Sequence, residues 1–129
     1  MHTVFIVNNL KVSPFLPYDS CVRGCELLTY DTESYTKGTL WDIGFDSAYY
    51  VGENRVRGQL WKLTSDKALE DLSELLGAKS GLTKKCFTPV TIEVDKEVIT
   101  TIDSIVFRLT SIKEQYKLVH DEVWTVKRL

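Results

Sequence analysis

Residues 38–77 read GTLWDIGFDSAYYVGENRVRGQLWKLTSDKALEDLSELLG, and their hydrophobic pattern changes from strand-like to helical along the stretch. In the first half, the turn-forming sequence Gly-Glu-Asn at 52–54 separates two runs that are rich in β-branched and aromatic residues. This arrangement predicts a β-hairpin, with Val56, Leu60 and Leu63 among its buried positions.

The second half of the stretch predicts a helix. Ser65 or Asp66 can cap its start, acidic residues occupy its early turns, and Gly77 follows its end. Its leucines recur at the spacing of one helical face, which we expect to turn inward: Leu69, Leu72 and Leu76.

Most of the remaining chain is typical of strands. The strand-like runs are TVFIV at 3–7, FTPVTIEV at 87–94 and VITTIDSIVFRL at 98–109, and alternating apolar residues at 116–129 favour a final strand. The charged Asp-Lys-Glu sequence joins the second run to the third. Many strands with one good helix predict the α+β class, as a small mixed β-barrel with one main helix packed across it. Residues 1–129 are expected to form a single domain.

Composition limits the functional classes. With a net charge of −2 and scattered Lys and Arg, the chain lacks the basic face of a duplex nucleic-acid binder. No apolar run approaches the roughly 20 residues needed to cross a bilayer, and the first residues lack signal-peptide features, so a cytoplasmic location without membrane attachment is expected. Three cysteines and two histidines do not form a zinc pattern. We therefore expect no metal and no cofactor.

Four segments resemble the γ-glutamylcyclotransferase-like (AIG2-like) family in consistent order. GTLWDIG at 38–44 is similar to Gly-x-Leu-Tyr-Asp-Leu-Gly, and VRGQLWKL at 56–63 to Val-x-Gly-Glu-Leu-Tyr-x-Val. LSELLG at 72–77 is similar to Leu-Asp-x-x-Glu-Gly, and VFIVNNL at 4–10 falls where the family has a strand followed by Tyr-Gly-Thr-Leu. The resemblance implies a barrel whose pocket lies at the exit of the first strand.

The resemblance also implies a reaction, for which this chain lacks residues. Active members cyclise a γ-glutamyl group into 5-oxoproline, and a helix glutamate carries protons for the attacking amine and the leaving nitrogen. Leu76 stands where that glutamate belongs, Pro89 where an arginine is usual, and Val7 where the loop has tyrosine. Glu74 lies about 200° around the helix from position 76 and is expected to face solvent. We therefore expect no cyclotransferase activity.

Asn8 falls where the family's loop has glycine. Asparagine visits positive φ at modest cost, and its amide both donates and accepts hydrogen bonds, so Asn8 and Asn9 could line a pocket. A polar turn after an edge strand is the plainer interpretation, and both remain open. The resemblance implies the following ligand-binding residues: Val7, Asn8, Asn9, Leu10, Gly44, Phe45, Leu76 and Phe87.

These features favour a non-catalytic protein that binds a small molecule. With leucine in place of a carboxylate, the pocket is expected to be less negative and to suit an anionic ligand or a nucleotide. Such a protein could sequester a metabolite or a signalling nucleotide, for example in viral counter-defence. The sequence leaves the ligand and the oligomeric state open.

Two alternatives stay open. The first is an active cyclotransferase with a relocated acid or base, for which the candidates are Glu74, Asp42 and Glu53, although a structural role is expected for Asp42. The second is a protein–protein interaction module, because large amphipathic side chains are frequent at interfaces. Its candidates are Trp41, Trp61, Trp124, Tyr49 and Tyr50.

Overall fold

The structure is a computed structural model, and it describes residues 2–7, 25–30, 32–44 and 46–120. Within these ranges the elements are β1 (His2–Ile6), β2 (Glu26–Thr29), β3 (Ser34–Asp42), β4 (Ser47–Arg57), β5 (Gln59–Leu63), α1 (Asp66–Leu75), β6 (Thr83–Val94), β7 (Glu97–Leu109) and β8 (Lys117–Val119). No helix in these ranges has the length and apolar character needed to cross a membrane.

The strands form one mixed sheet that curls into a barrel. Their order is β2-β5-β1-β7-β4-β3-β6, with β8 beside β3, and β6 returns to pair with β7. Strand β7 runs parallel to β1 and β4, whereas the other pairs are antiparallel. The predicted α+β fold, a barrel-like mixed sheet with one main helix, is confirmed.

Two apolar clusters lie on opposite faces of this sheet. Along β7, the side chain of Val106 enters the barrel interior, while those of Ile105 and Phe107 point to the face that α1 covers. This alternation follows from the two-residue period of a strand. The buried positions predicted from the sequence are confirmed at Val56 in the barrel, at Leu60 beside it, and at Leu63 under the helix.

The helix begins and ends where the sequence predicts. The Ser65 side chain accepts a hydrogen bond of 3.1 Å from the amide of Ala68. At the other end, Gly77 has a φ of +88°, and the amide of Ala78 donates to the carbonyl oxygen of Ser73 at 2.8 Å. This is the Schellman arrangement, in which a residue in the left-handed region reverses the chain. The inward-facing leucines Leu69 and Leu72 are buried.

The predicted turn at 52–54 is wrong, because β4 continues through it. The β3–β4 register shifts between Gly38 and Thr39, and the three residues that follow Tyr50 form a bulge. A Cβ atom on Gly52 would lie 2.5 Å from Cγ2 of Thr39. The glycine therefore allows a close approach of two strands rather than a chain reversal.

The last hairpin agrees better with the sequence. Asp95 and Lys96 connect β6 to β7 with φ values of 51° and 67°. Two consecutive positive φ values are characteristic of a type I′ turn, whose twist matches that of the strands. The predicted final strand is confirmed for residues 117–119. The rest of the tail, including Trp124, lies outside the described residues.

Candidate functional site

A cavity of about 250 Å³ lies where the end of β1, the β3–β4 turn, the end of α1 and the start of β6 meet. Most of its lining is apolar, and it includes three buried aromatic side chains, those of Phe5, Tyr49 and Phe107. Its position agrees with the pocket that the sequence resemblance predicted at the exit of the first strand. Both Val7 and Leu76, which were predicted to line that pocket, do so.

The helix end forms one wall of the cavity. Leu76 is the residue at the C-cap of α1, and its side chain packs against the apolar cluster under the helix. After Gly77 the chain reverses, so that Leu82 and Thr83 return to the same wall. Thr83 Oγ1 donates to the carbonyl oxygen of Leu76 at 2.8 Å. The position of Leu76 is therefore fixed from two sides.

The β3–β4 turn forms the opposite wall. The amide of Gly44 donates to Oδ1 of Asp42 at 2.8 Å, and the amide of Ile43 donates to the carbonyl oxygen of Asp46 at 3.0 Å. These bonds, with a φ of +105° at Gly44, hold the turn in shape. Asp42 thus has the structural role that the sequence favoured, and Ile43 and Asp46 contribute to the lining.

The charged side chains in the described lining are both acidic. Asp46 and Glu74 both contribute to the lining, and its described residues include no Lys, Arg or His. The Glu74 side chain is 66% exposed and lies 3.6 Å from Lys79, whose ammonium is also 3.6 Å from Glu70. Glu74 therefore faces solvent, as predicted, but does so from the mouth of the cavity. The described lining therefore holds two carboxylates, and a charge less negative than in the family's pockets stays a prediction.

Tyr49 forms part of the inner wall. Its hydroxyl donates a 2.6 Å hydrogen bond to the carbonyl oxygen of Lys37. Burial raises the pKa of the Tyr49 phenol above its ordinary value of 10.0, so the group is neutral at physiological pH. The ring and its bonded hydroxyl act as a fixed, uncharged surface.

Phe87 does not line the cavity, and its assignment to the pocket is corrected. Its side chain is 79% exposed. The neighbouring side chains of Cys86 and Thr88 turn toward the barrel, since Cys86 packs in the barrel cluster and Thr88 Oγ1 is 2.8 Å from Oγ1 of Thr36. Strand alternation therefore turns Phe87 outward.

The other predicted residues divide into three groups. Gly44 lies in the turn beside the cavity without contributing to its lining, and Glu53 is exposed in the β4 bulge, away from it. Asn8, Asn9, Leu10 and Phe45 lie outside the described residues. In the described ranges, no group of three or more His, Cys, Asp or Glu side chains is placed to hold a metal ion.

Some lining residues were missed by sequence reasoning. Asp46 directly follows the predicted Gly44–Phe45 turn, so its place in the sequence could have predicted that it lines the pocket. Leu82 and Thr83 gave no local signal, because the reversal after Gly77 alone brings them to the wall. Three of the aromatic interface candidates have roles within the fold. Trp61 and Tyr49 are buried, and Trp41 Nε1 donates a hydrogen bond to Thr39 Oγ1 at 2.9 Å.

Several solved structures share this fold, although no protein-family model and no curated protein sequence matches the chain. An AIG2-like protein from Mus musculus is 11% identical, with a TM-score of 0.74 over 97% of this chain and 88% of that chain. A γ-glutamyl cyclotransferase is 14% identical, with a TM-score of 0.60 over 91% of this chain and 69% of that chain. An uncharacterized protein from Pyrococcus horikoshii is 10% identical, with a TM-score of 0.64 over 95% and 89% of the two chains. The chain therefore has the γ-glutamylcyclotransferase-like fold.

Proposed function

We propose that this γ-glutamylcyclotransferase-like fold binds a small molecule in its cavity and does not catalyse the cyclotransferase reaction. The observation that carries the proposal is the wall at the end of α1. The cavity is present at this wall, and the Leu76 side chain contributes to its lining. The family resemblance calls for a glutamate at this position. A leucine side chain cannot accept or return a proton.

The size and charge of the cavity limit the ligand. A volume of about 250 Å³ is below the ~300–1,000 Å³ of pockets for drug-sized ligands, which favours a ligand closer to an amino acid than to a nucleotide. The described lining offers the carboxylates of Asp46 and Glu74 and no cation. An anion would meet repulsion from both groups, so we propose a neutral or amine-bearing ligand with an apolar part.

Binding is tested by calorimetry on the full chain with amino acids, short alkylamines and cyclic nucleotides. We expect a saturable signal from an amine or a neutral compound. The variant Val7→Trp places a large ring in the lining and should abolish this signal. Val51→Trp is the matched control, because Val51 is exposed elsewhere on the barrel and should leave binding unchanged. Tighter binding of cyclic nucleotides than of amines would contradict the proposed ligand class.

Glu74 supports a second candidate function, that of an active cyclotransferase with a relocated acid or base. Its carboxylate lies at the mouth of the cavity, where a proton carrier could reach a bound substrate. The assay measures 5-oxoproline release from γ-glutamyl amino acids and γ-glutamyl amines. Our primary proposal predicts no turnover.

If turnover occurs, two variants locate its origin. Glu70 and Glu74 both contact Lys79 at 3.6 Å, but only Glu74 contributes to the cavity lining. Glu74→Gln and Glu70→Gln therefore remove equivalent ion pairs. Turnover by the unmodified chain would itself overturn the non-catalytic proposal, and its loss only in Glu74→Gln would identify Glu74 as the proton carrier.

The biological role that we propose is retention of the bound molecule. A compact protein that binds without reaction lowers the free concentration of its ligand. We propose that it does so in the cytoplasm, as a sequestering protein for a metabolite.

A further inference from the structure

The outer part of the β6–β7 hairpin, residues 94–103, extends past the strands that flank it. Pairing of β6 with β3 reaches Ile92, and pairing of β7 with β1 begins at Ile105. Between these points β6 and β7 pair only with each other in the described part of the chain. A two-stranded ribbon is marginally stable in water unless one face is covered. We call residues 94–103 the arm.

The arm exposes apolar side chains. Val98 and Ile99 are each 61% exposed, and Val94 is 44% exposed. The register shift that follows Ile92 leaves Ile99 without a partner on β6. A single exposed apolar residue needs no explanation, but β7 exposes two adjacent ones, Val98 and Ile99, and Val94 adds a third beside the hairpin turn.

One edge of the arm is available for strand pairing. The side of β7 that faces away from β6 has no described partner from Glu97 to Asp103. Its sequence there, Val-Ile-Thr-Thr-Ile at 98–102, is β-branched throughout and uncharged. Such an edge presents unpaired amide and carbonyl groups and is a template for an added strand.

Charge decides which strand fits. The arm carries three carboxylates, on Asp95, Glu97 and Asp103, against the single ammonium of Lys96. Antiparallel pairing of two copies centred on Thr100 would place Glu97 opposite Asp103 of the other copy. Like charges directly opposite each other destabilise a strand pair. A second copy in this register is therefore disfavoured, whereas a strand with basic residues at these positions would pair favourably.

We infer that this edge of β7, which has no partner among the described strands, binds an extended segment of another protein. The segment adds a strand with a β-branched centre and basic residues at its ends. Main-chain hydrogen bonds would supply affinity, and the flanking carboxylates would supply selectivity. The inference is independent of the cavity and of any ligand there, because no arm residue lines it.

Two synthetic peptides test the inference on the full chain: Lys-Val-Thr-Val-Thr-Val-Lys and its counterpart with glutamate at both ends. Binding is followed by NMR shifts and hydrogen exchange of the amides at 97–103. We expect the basic peptide to bind at least tenfold more tightly than the acidic one and to slow exchange along this edge. The double variant Glu97→Lys/Asp103→Lys should reverse the preference.

A matched pair of variants distinguishes binding at the arm from nonspecific binding to exposed apolar side chains. Val98→Ser/Ile99→Ser should weaken binding of the basic peptide at least tenfold. Phe87→Ser removes an apolar side chain outside the arm that is even more exposed, and it should leave binding unchanged. Equal binding of the two peptides, no binding of either, or equal effects of the two variants would overturn the inference. Sedimentation that shows a dimer lost in Val98→Ser/Ile99→Ser would also overturn it, in favour of a second copy.

Discussion

Thr83 and Leu76 are joined by a 2.8 Å hydrogen bond from the hydroxyl of one to the carbonyl oxygen of the other. The bond links the start of β6 to the last turn of α1, two elements that share a cavity wall. Thr83 is buried and Leu76 is half-buried, so the bond is partly shielded from water. The bond therefore stabilises both the chain reversal after the helix and the shape of the wall.

Thr83→Val removes this bond while keeping the shape of the side chain. We expect the free energy of unfolding to fall by about 0.5–1.5 kcal/mol, because a partly shielded carbonyl loses its partner. Urea denaturation measures the change. Thr110→Val is the control: its hydroxyl donates to the carbonyl oxygen of Gly81 at 2.8 Å, but at an exposed site where water can replace it. Equal losses in the two variants would show that burial of Thr83 is unimportant.

Gly77→Ala should destabilise the protein more than Gly81→Ala. Both glycines have a left-handed φ, +88° and +85°, so each substitution costs about 1–2 kcal/mol in backbone strain. A Cβ on Gly77 would in addition lie 2.9 Å from Cβ of Leu82. A Cβ on Gly81 would have no atom within 4 Å apart from those of its chain neighbours. Thermal denaturation of the two variants isolates the contribution of this contact. The same Tm for both would mean that Leu82 moves away freely.

Tyr49→Phe should reduce the loss of stability at alkaline pH. Burial raises the folded-state pKa of Tyr49 above 10.0, so the phenol contributes stability that is present below pH 10. That contribution is lost as the pH rises through the folded-state pKa. The variant lacks this component, although it also loses the bond to Lys37 and should be about 1 kcal/mol less stable at neutral pH. Tyr30→Phe, at an exposed site, should keep the wild-type alkaline profile.

Asp66→Asn should reduce the loss of stability that the protein shows as the pH falls through the acidic range. Asp66 Oδ1 lies 2.7 Å from His2 Nε2, and this hydrogen bond lowers the pKa of the Asp66 carboxyl below its ordinary value of 3.8. A lowered folded-state pKa contributes stability that is present above the ordinary value and is lost as the pH falls through the folded-state pKa. Unfolding between pH 5 and pH 2 measures it. In a His2→Asn background, Asp66→Asn should have a smaller pH-dependent effect, because the hydrogen bond to His2 is the largest cause of the lowered pKa.

Much of the fold could be predicted from the sequence where one element carried its own signals. Ser65 and Gly77 marked the helix ends, and the apolar runs marked β1, β6 and β7. The Gly-Glu-Asn sequence misled the prediction, because a glycine that permits a turn equally permits the close approach of Gly52 to Thr39. Local sequence does not distinguish these two uses.

The candidate site was predictable only in part. Val7 and Leu76 were placed in the pocket by the family resemblance, and both contribute to the lining of the cavity. Phe87 was misplaced because its face depends on the register of β6, which is fixed by pairing with distant residues. The position of Glu74 at the cavity mouth depends on where the chain goes after Gly77, and helical angle alone does not reveal it.

Strand β7 forms a common partition between two interiors, with Val106 on one side and Ile105 and Phe107 on the other. Loss of this strand would uncover both apolar clusters at once. The barrel and its helix should therefore melt together in one cooperative transition, with the slowest amide exchange of the chain at the centre of this partition.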